Sequence, residues 1–487
     1  MRRRLVLLLS IGLVAGCGPD AARRGGTVLF ASGADLQSIN PLFTVHPLAK
    51  QVQRYVLLTT LVRYDSAMQI SPYLARRWAW GRGGRRLTLS LFGGLRWHDG
   101  VPTTARDAAW TLMQARDPAT GYPRQGDLAI LSDAAATDDT TLVLDFSEPC
   151  SRIPDVLTDL AVLPRHLLDS VPRGRLRRAA WQERPVGNGP FRFVRHEANR
   201  RWVFERNPDF PEPLGGPPVL ERLVIAVVDE PMTKLAALTS GELDFAGIQP
   251  AHAQFVARDP LLVVRDYPLL FTTGIVFNTR RPPFDSLPRR AQVAGSLDRP
   301  ALVAGFAYGF GTPADGPVPP ELTVLSAAYR VPRTDCTDGP CPQRARPKMP
   351  PVTGPPLSFE LLTVGSGEAA LEQMVQAQLA RAGITVKIRQ LELSAFLDRV
   401  YGPHPDFEAV LLGTPGDLGL GYLKPLASLS GLHPPDGPEA LQRFFHDSLP
   451  ATFLYHARGL QGVSRRIRGV QLGLRGELAS VATWSVQ

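Results

Sequence analysis

The sequence predicts an α/β fold with substantial parallel sheet. Strand-like and helix-like segments alternate along most of the chain, and an amphipathic helix over Glu368–Ala382 runs directly into the strand Ile384–Ile388. The chain has 487 residues, of which 44% are hydrophobic and 20% charged, enough for two or three domains with a large buried core.

The elements follow in order. Met1-Arg2-Arg3-Arg4, the apolar run Leu5–Val14 and the small pair Ala15-Gly16 before Cys17 have the charged, apolar, small order of a secretory signal. The run is far shorter than the roughly 20 residues of a membrane-spanning helix. Val14-Ala15-Gly16-Cys17 resembles a bacterial lipobox, so residues 1–16 are expected to be removed and Cys17 lipidated, with 17–25 as a linker. Acyl chains at about 0.8 kcal/mol per buried CH₂ would hold a soluble body at a membrane.

Thr27–Ala31 is the first predicted strand, and Leu36–Pro41 turns away from it. Apolar spacing predicts a helix over Ala49–Val62, and alternation predicts a strand over Leu87–Leu91. Thr104 and the early Asp107 predict the start of a helix reaching Ala115. Arg201–Arg206 and Leu220–Val228 are predicted strands, and Pro231–Leu238 a helix closed by Gly241. Gly383 stops the Glu368–Ala382 helix, and the Pro-, Arg- and Gly-rich stretch Val331–Pro356 is expected to be a surface loop. No internal repeat is evident.

Three cysteines lie beyond Cys17. Cys336 and Cys341 bracket the turn-forming Thr-Asp-Gly-Pro and are the expected disulfide pair, which leaves Cys150 over. The net charge is +9, but its arginines are scattered as pairs such as Arg85-Arg86, Arg200-Arg201 and Arg289-Arg290 rather than gathered in a stripe, so no nucleic-acid partner is expected. Lysine occurs only at positions 50, 234, 348, 387 and 424, a bias that says little of a ligand.

No His-Glu-x-x-His, Gly-x-Ser-x-Gly or phosphate-loop motif is present, so the chain does not hydrolyse ATP and no catalytic residue is expected. The nine histidines are isolated in sequence, and Asp138-Asp139 sits in a turn context, so no metal or cofactor is expected.

Several motifs in order carry a resemblance. They are Asn40-Pro41; Leu58–Asp65; Pro72–Trp78; Leu95-Arg96-Trp97-His98-Asp99-Gly100 through Asp107; Pro185–Phe191; Arg206-Asn207-Pro208-Asp209-Phe210; Leu235–Asp244; Phe277-Asn278-Thr279 with Pro282–Asp285; and Gln378–Val386. Together they resemble the extracellular solute-binding proteins of peptide and nickel ABC importers, family 5. Asn188 stands where that family usually has Thr.

The resemblance implies a periplasmic-binding-protein-like fold: two α/β lobes joined by a hinge, with an extra domain inserted in the first and the ligand held between lobes. The expected limits are 26–44, 164–267 and 458–487 for the first lobe, 45–163 for the inserted domain, and 268–457 for a shortened second lobe. The family's Gly-Trp-x-x-Asp stretch, whose aspartate pairs with a peptide's α-ammonium, matches Gly413-Thr414-Pro415-Gly416-Asp417, with Thr414 in place of Trp. Asp417 is therefore the expected ammonium partner, with Gly413, Thr273 and Gly274 beside the cleft.

The expected function is capture of peptides or peptide-like solutes in the periplasm or at the cell surface. The partners would be an ABC transporter's permease and ATPase, and the protein would act as a lipid-anchored monomer. Alternatives are the same fold holding a nickel chelate, haem or oligosaccharide, or serving as an exported chaperone or sensor.

Overall fold

The protein is described by a computed structural model covering residues 26–150, 152–325, 355–365, 367, 369–416, 420–435 and 437–487. Cys17, Cys336, Cys341 and Asp417 lie outside these residues, as does nearly all of the expected loop Val331–Pro356.

Eleven strands form one large sheet: β1 (Thr27–Ser32), β2 (Phe191–Glu197), β3 (Arg201–Arg206), β4 (Arg222–Val227), β5 (Phe245–Gly247), β6 (Leu262–Phe277), β7 (Gly311–Pro313), β8 (Ser358–Val364), β9 (Thr385–Leu391), β10 (Ala409–Pro415) and β11 (Ala451–Ser464). Their spatial order is β9-β8-β10-β6-β11-β5-β1-β4-β3-β2, with β7 also on β11. The sheet is mixed. β1 is parallel to β4 and β5, and β8 is parallel to β9 and β10, whereas β6 and β11 are antiparallel to each of their partners. The parallel centre explains why β1 reads as the continuous apolar run Val28-Leu29-Phe30-Ala31, since Val28 and Phe30 enter one core while Leu29 and Ala31 pack in another.

Two sets of cores share this sheet. On one side of the molecule Phe30, Phe204, Phe245 and Trp484 join a core that continues into a separate four-stranded antiparallel sheet, while Leu235, Leu238 and Val256 close the other face. Further along, Ile275, Phe277, Phe359 and Val375 form one core, and Val276, Phe396, Phe407 and Phe453 form another across the sheet. β6 and β11 are the long strands that run from one pair of cores to the other. Ile275 and Val276 enter opposite cores because successive strand residues point to opposite faces.

The local signals are honoured. In Leu87–Leu91 the leucines are buried and alternate with half-buried polar residues, and Leu144 and Leu142 stand opposite Leu87 and Leu89 in the small sheet. Thr104 caps the helix Ala105–Arg116: its hydroxyl accepts from Arg106 N at 3.3 Å, and Asp107 Oδ2 accepts from Thr104 N at 2.8 Å. Gly100 adopts φ 92° in the turn ahead of it.

The predicted helix Ala49–Val62 differs. Helical structure spans Pro47–Leu57, then the chain extends through Leu58 to the short strand Val62–Tyr64. The reason is tertiary. The Leu57 carbonyl accepts from the amides of Asn188 and Gly189 at 3.1 and 2.8 Å, and Asn188 Oδ1 accepts from Thr59 N at 2.9 Å. A Cβ on Gly187 would sit 2.0 Å from the Leu57 oxygen, so glycine is needed for this close approach. The Pro185–Phe191 motif is thus the stop for a helix far away in sequence.

Candidate solute-binding seam

β6 bends between the two sets of cores. Pro268 pairs with Arg458 and Thr272 with His456, so Leu269, Leu270 and Phe271 stand opposite Ala457 alone. Such excess residues kink a strand.

A buried network braces the near side of the bend. The Tyr267 hydroxyl donates to Glu477 Oε1 at 2.5 Å and accepts from Gln461 Nε2 at 3.3 Å, and Gln51 donates to the other Glu477 oxygen. Burial and the Glu477 charge push the Tyr267 phenol well above its ordinary range, so it stays a donor. A Cβ on Gly459 would lie 2.2 Å from Tyr267 Cζ, so the ring occupies the space a side chain there would need. On the far side His456 Nδ1 lies 2.8 Å from Thr272 Oγ1 with both residues buried, and burial pushes the imidazole down to about 4.

Beyond the bend, Thr273 pairs with Gly413 and Gly274 with Leu412. The structure therefore brings three of the expected site residues together. They are not equally available. Thr273 is buried, and its side chain is hydrogen-bonded to Tyr455. Gly274 lies inside the sheet, where a Cβ would meet Thr452 O at 3.0 Å and Phe453 Cδ1 at 3.2 Å.

Gly413 is exposed. A Cβ there would come within 2.6 Å of Phe271 Cζ, and that ring is 37% exposed. Sequence reasoning missed Phe271, although its place two residues before Thr273 puts it on the same sheet face as Gly413.

β10 has an open edge. It pairs with β6 along its full length, but with β8 only at Ala409 and Val410. From Leu411 to Pro415 no strand covers its other side among the described residues, and the Gly416 amide turns back to the Leu270 carbonyl at 2.6 Å. An unpaired edge offers a row of backbone donors and acceptors to an extended ligand.

Among the described residues no group of three or more His, Cys, Asp or Glu side chains is placed to hold a metal, and no helix is long and apolar enough to cross a membrane. The Cys150 thiol is unbonded and half-buried, and burial raises its pKa.

Two core sets on one mixed sheet, joined by two long paired strands whose register breaks beside an open edge, define a two-lobed fold of the periplasmic-binding-protein type. The chain belongs to the bacterial extracellular solute-binding proteins, family 5, whose middle region matches residues 69–428. It is 27% identical over 328 residues to a Brucella ovis protein named for peptide binding in an ABC transporter, an alignment covering 65% of this chain and 60% of that one. The chain thus spans less than two thirds of the length of that relative. Di/tripeptide-binding protein 4 of Pseudomonas aeruginosa is 28% identical over 381 residues, or 72% of this chain and 69% of that protein. In fold, the chain is similar to the oligopeptide-binding protein AppA of Bacillus subtilis, solved with a nonapeptide. The TM-score is 0.72 at 21% identity, covering 95% of this chain and 99% of AppA.

Proposed function

We propose that this protein is the extracytoplasmic substrate-binding component of an ABC importer and captures peptides or peptide-like solutes. The observation that carries the reading is the open edge of β10 at Leu411–Pro415, exposed at Gly413 and set beside the bend of β6. A peptide laid along that edge is held as an added strand through its backbone, which makes binding tolerant of side-chain sequence. The names of the Brucella and Pseudomonas relatives support the same ligand class.

In this reading Asp417, two residues past the end of β10, takes the ligand's α-ammonium, a charge-assisted contact of about 1.5–3 kcal/mol. Phe271 supplies an apolar surface near Thr414, where the family's tryptophan is missing. Thr273 and Gly274 shape the strand beneath without touching the ligand. The lobes, with limits at 44/45, 163/164, 267/268 and 457/458, close about the bend. The protein binds without catalysing, a separate ATPase drives uptake through the permease, and a lipid on Cys17 keeps the monomer at the membrane. Cys336 and Cys341 pair in this oxidising compartment.

The test is calorimetric titration of the mature chain with pooled di- to pentapeptides, beside Asp417→Ala. Binding that weakens by about thirtyfold on substitution, or about 2 kcal/mol, supports the assignment. Equal binding by both removes Asp417 from the site. Absence of binding by the parent, with binding of a metal chelate, haem or an oligosaccharide instead, replaces the ligand class.

A further inference from the structure

A second cavity lies away from this seam. It measures about 350 Å³ and is lined by Phe43, Thr120 and the short turn Arg173–Arg178, which contributes four arginines. No carboxylate is among the lining residues. Asp117, just outside, pairs with Arg173 at 2.7 Å, and Gln114 Oε1 accepts from Arg173 Nε at 3.3 Å. Arg177 lies over the Phe43 ring at 4.6 Å. Arg175 and Arg178 carry no ion pair among the described residues. Three of the four guanidinium groups, all on exposed residues, thus lack an ion-pair partner around one hollow among the described residues.

The turn that presents them is anchored. Leu176 is fully buried at its centre, and its carbonyl accepts from Gln182 Nε2 at 3.1 Å, while Ser38 Oγ donates to Gln182 Oε1 at 2.7 Å. The arginines are thus held together by the fold, although their mutual repulsion opposes it.

Thr120 closes the wall of the cavity; it is 6% exposed, and its hydroxyl is sealed beneath the surface and does not open onto the hollow.

We propose that this cavity is a binding site for a phosphate-bearing anion, clamped by the guanidinium groups of Arg175, Arg177 and Arg178. Planar guanidinium forks match phosphate oxygens in pairs, and a phosphate monoester sets about −1.5 to −2 charges against the three cations. The cavity is about tenfold the ~30 Å³ share of a water molecule, which leaves room for the organic part of a phosphate ester or a lipid headgroup. The site is separate from the β10 edge and does not depend on the solute bound there.

The experiment uses the full chain and inorganic phosphate. Thermal midpoints are recorded against phosphate, with chloride at matched ionic strength as reference, for the parent and Gly174→Asp. A Cβ on Gly174 meets nothing within 4 Å, so Asp fits there and adds a carboxylate at the cavity wall without disturbing packing. The parent is expected to be stabilised with half-saturation near roughly 1 mM. Gly174→Asp should need at least about tenfold more phosphate.

A parent that ignores phosphate, or a Gly174→Asp response equal to the parent's, overturns the site. Sedimentation with phosphatidylglycerol but not phosphatidylcholine vesicles, lost in Gly174→Asp, identifies the phosphate as a membrane headgroup. A phosphate response without vesicle binding identifies a soluble ester.

Discussion

Acid should weaken this fold through His456, at the point where β11 reaches the bend. The residue is 3% exposed, and burial moves its imidazole from 6.5 down to about 4. Because the folded value is the lower one, the unfolded chain takes up the proton first as pH falls. Stability from this group is therefore complete above about 6.5 and is lost between there and about 4. A shift of some 2.5 units at 1.36 kcal/mol each corresponds to about 3 kcal/mol, a large share of a typical domain's stability. His456→Asn removes the titration while keeping a polar atom near Thr272 Oγ1. At pH 7.5 the variant should be about 1 kcal/mol less stable than the parent, from lost ring volume. Near pH 4 the order should invert, with the variant ahead by about 2 kcal/mol. Urea unfolding of both proteins at half-unit pH intervals measures the difference directly. Parallel stability profiles for the two proteins would refute the argument, since they would mean that the buried ring accepts its proton without penalty.

Other perturbations test the braces around the seam and the helix stop. Gly459→Ala drives a methyl into the Tyr267 ring and should cost about 2 kcal/mol or more; Tyr267→Ala should relieve part of that cost in a double-mutant cycle read by urea midpoints. Asp159 binds Lys50, Arg54 and Arg124 at 2.6, 2.9 and 3.0 Å, and although burial alone would raise its pKa, the Arg54 and Lys50 charges hold the carboxyl well below its usual range. Asp159→Ala should destabilise by about 3–5 kcal/mol, against less than about 0.5 for Asp139→Ala at the exposed Arg106 pair, both by denaturant titration. Asn188→Ala leaves the buried Thr59 amide unpaired and should cost about 1–3 kcal/mol, with faster amide exchange at Thr59.

The parts of the fold legible in the sequence are those whose causes are local. Thr104 and Asp107 satisfy each other's helix-end groups within four residues, so the start of Ala105–Arg116 could be read from spacing alone. The same holds for Gly383, whose φ of 72° ends the helix Ala370–Arg381 before β9. The helix from Pro47 could not be ended correctly in this way. Nothing between Ala49 and Val62 forbids another turn; the stop is imposed by Asn188, 129 residues from Thr59, through hydrogen bonds that exist only after the chain has folded. A periodic apolar pattern continues through Leu61 because those residues are buried in the extended form as well.

The seam divides along the same line. Gly413, Thr273 and Gly274 were reached through a motif resemblance, which identifies positions but not the directions in which they face. Strand geometry supplies those directions. Thr273 and Gly274 lie on β6 where neighbours flank both its edges, so their backbone and side-chain groups are taken up by β10 and β11. Gly413 lies on β10 past the last residue paired with β8, and there the same type of backbone is left open. Phe271, 37% exposed, is the last of the three residues set against one at the bend. If the open edge is what receives a ligand, then its position at the bend couples the two: a strand added at Gly413 lies against the ring of Phe271, the last residue of the bulge, so occupancy of the edge bears on the angle between the lobes. Restoring a tight pairing by deleting both Leu269 and Leu270, which leaves Phe271 opposite Ala457, should therefore alter both the spacing of the lobes in solution scattering and the affinity for peptide, whereas a seam independent of the bend would change only the first.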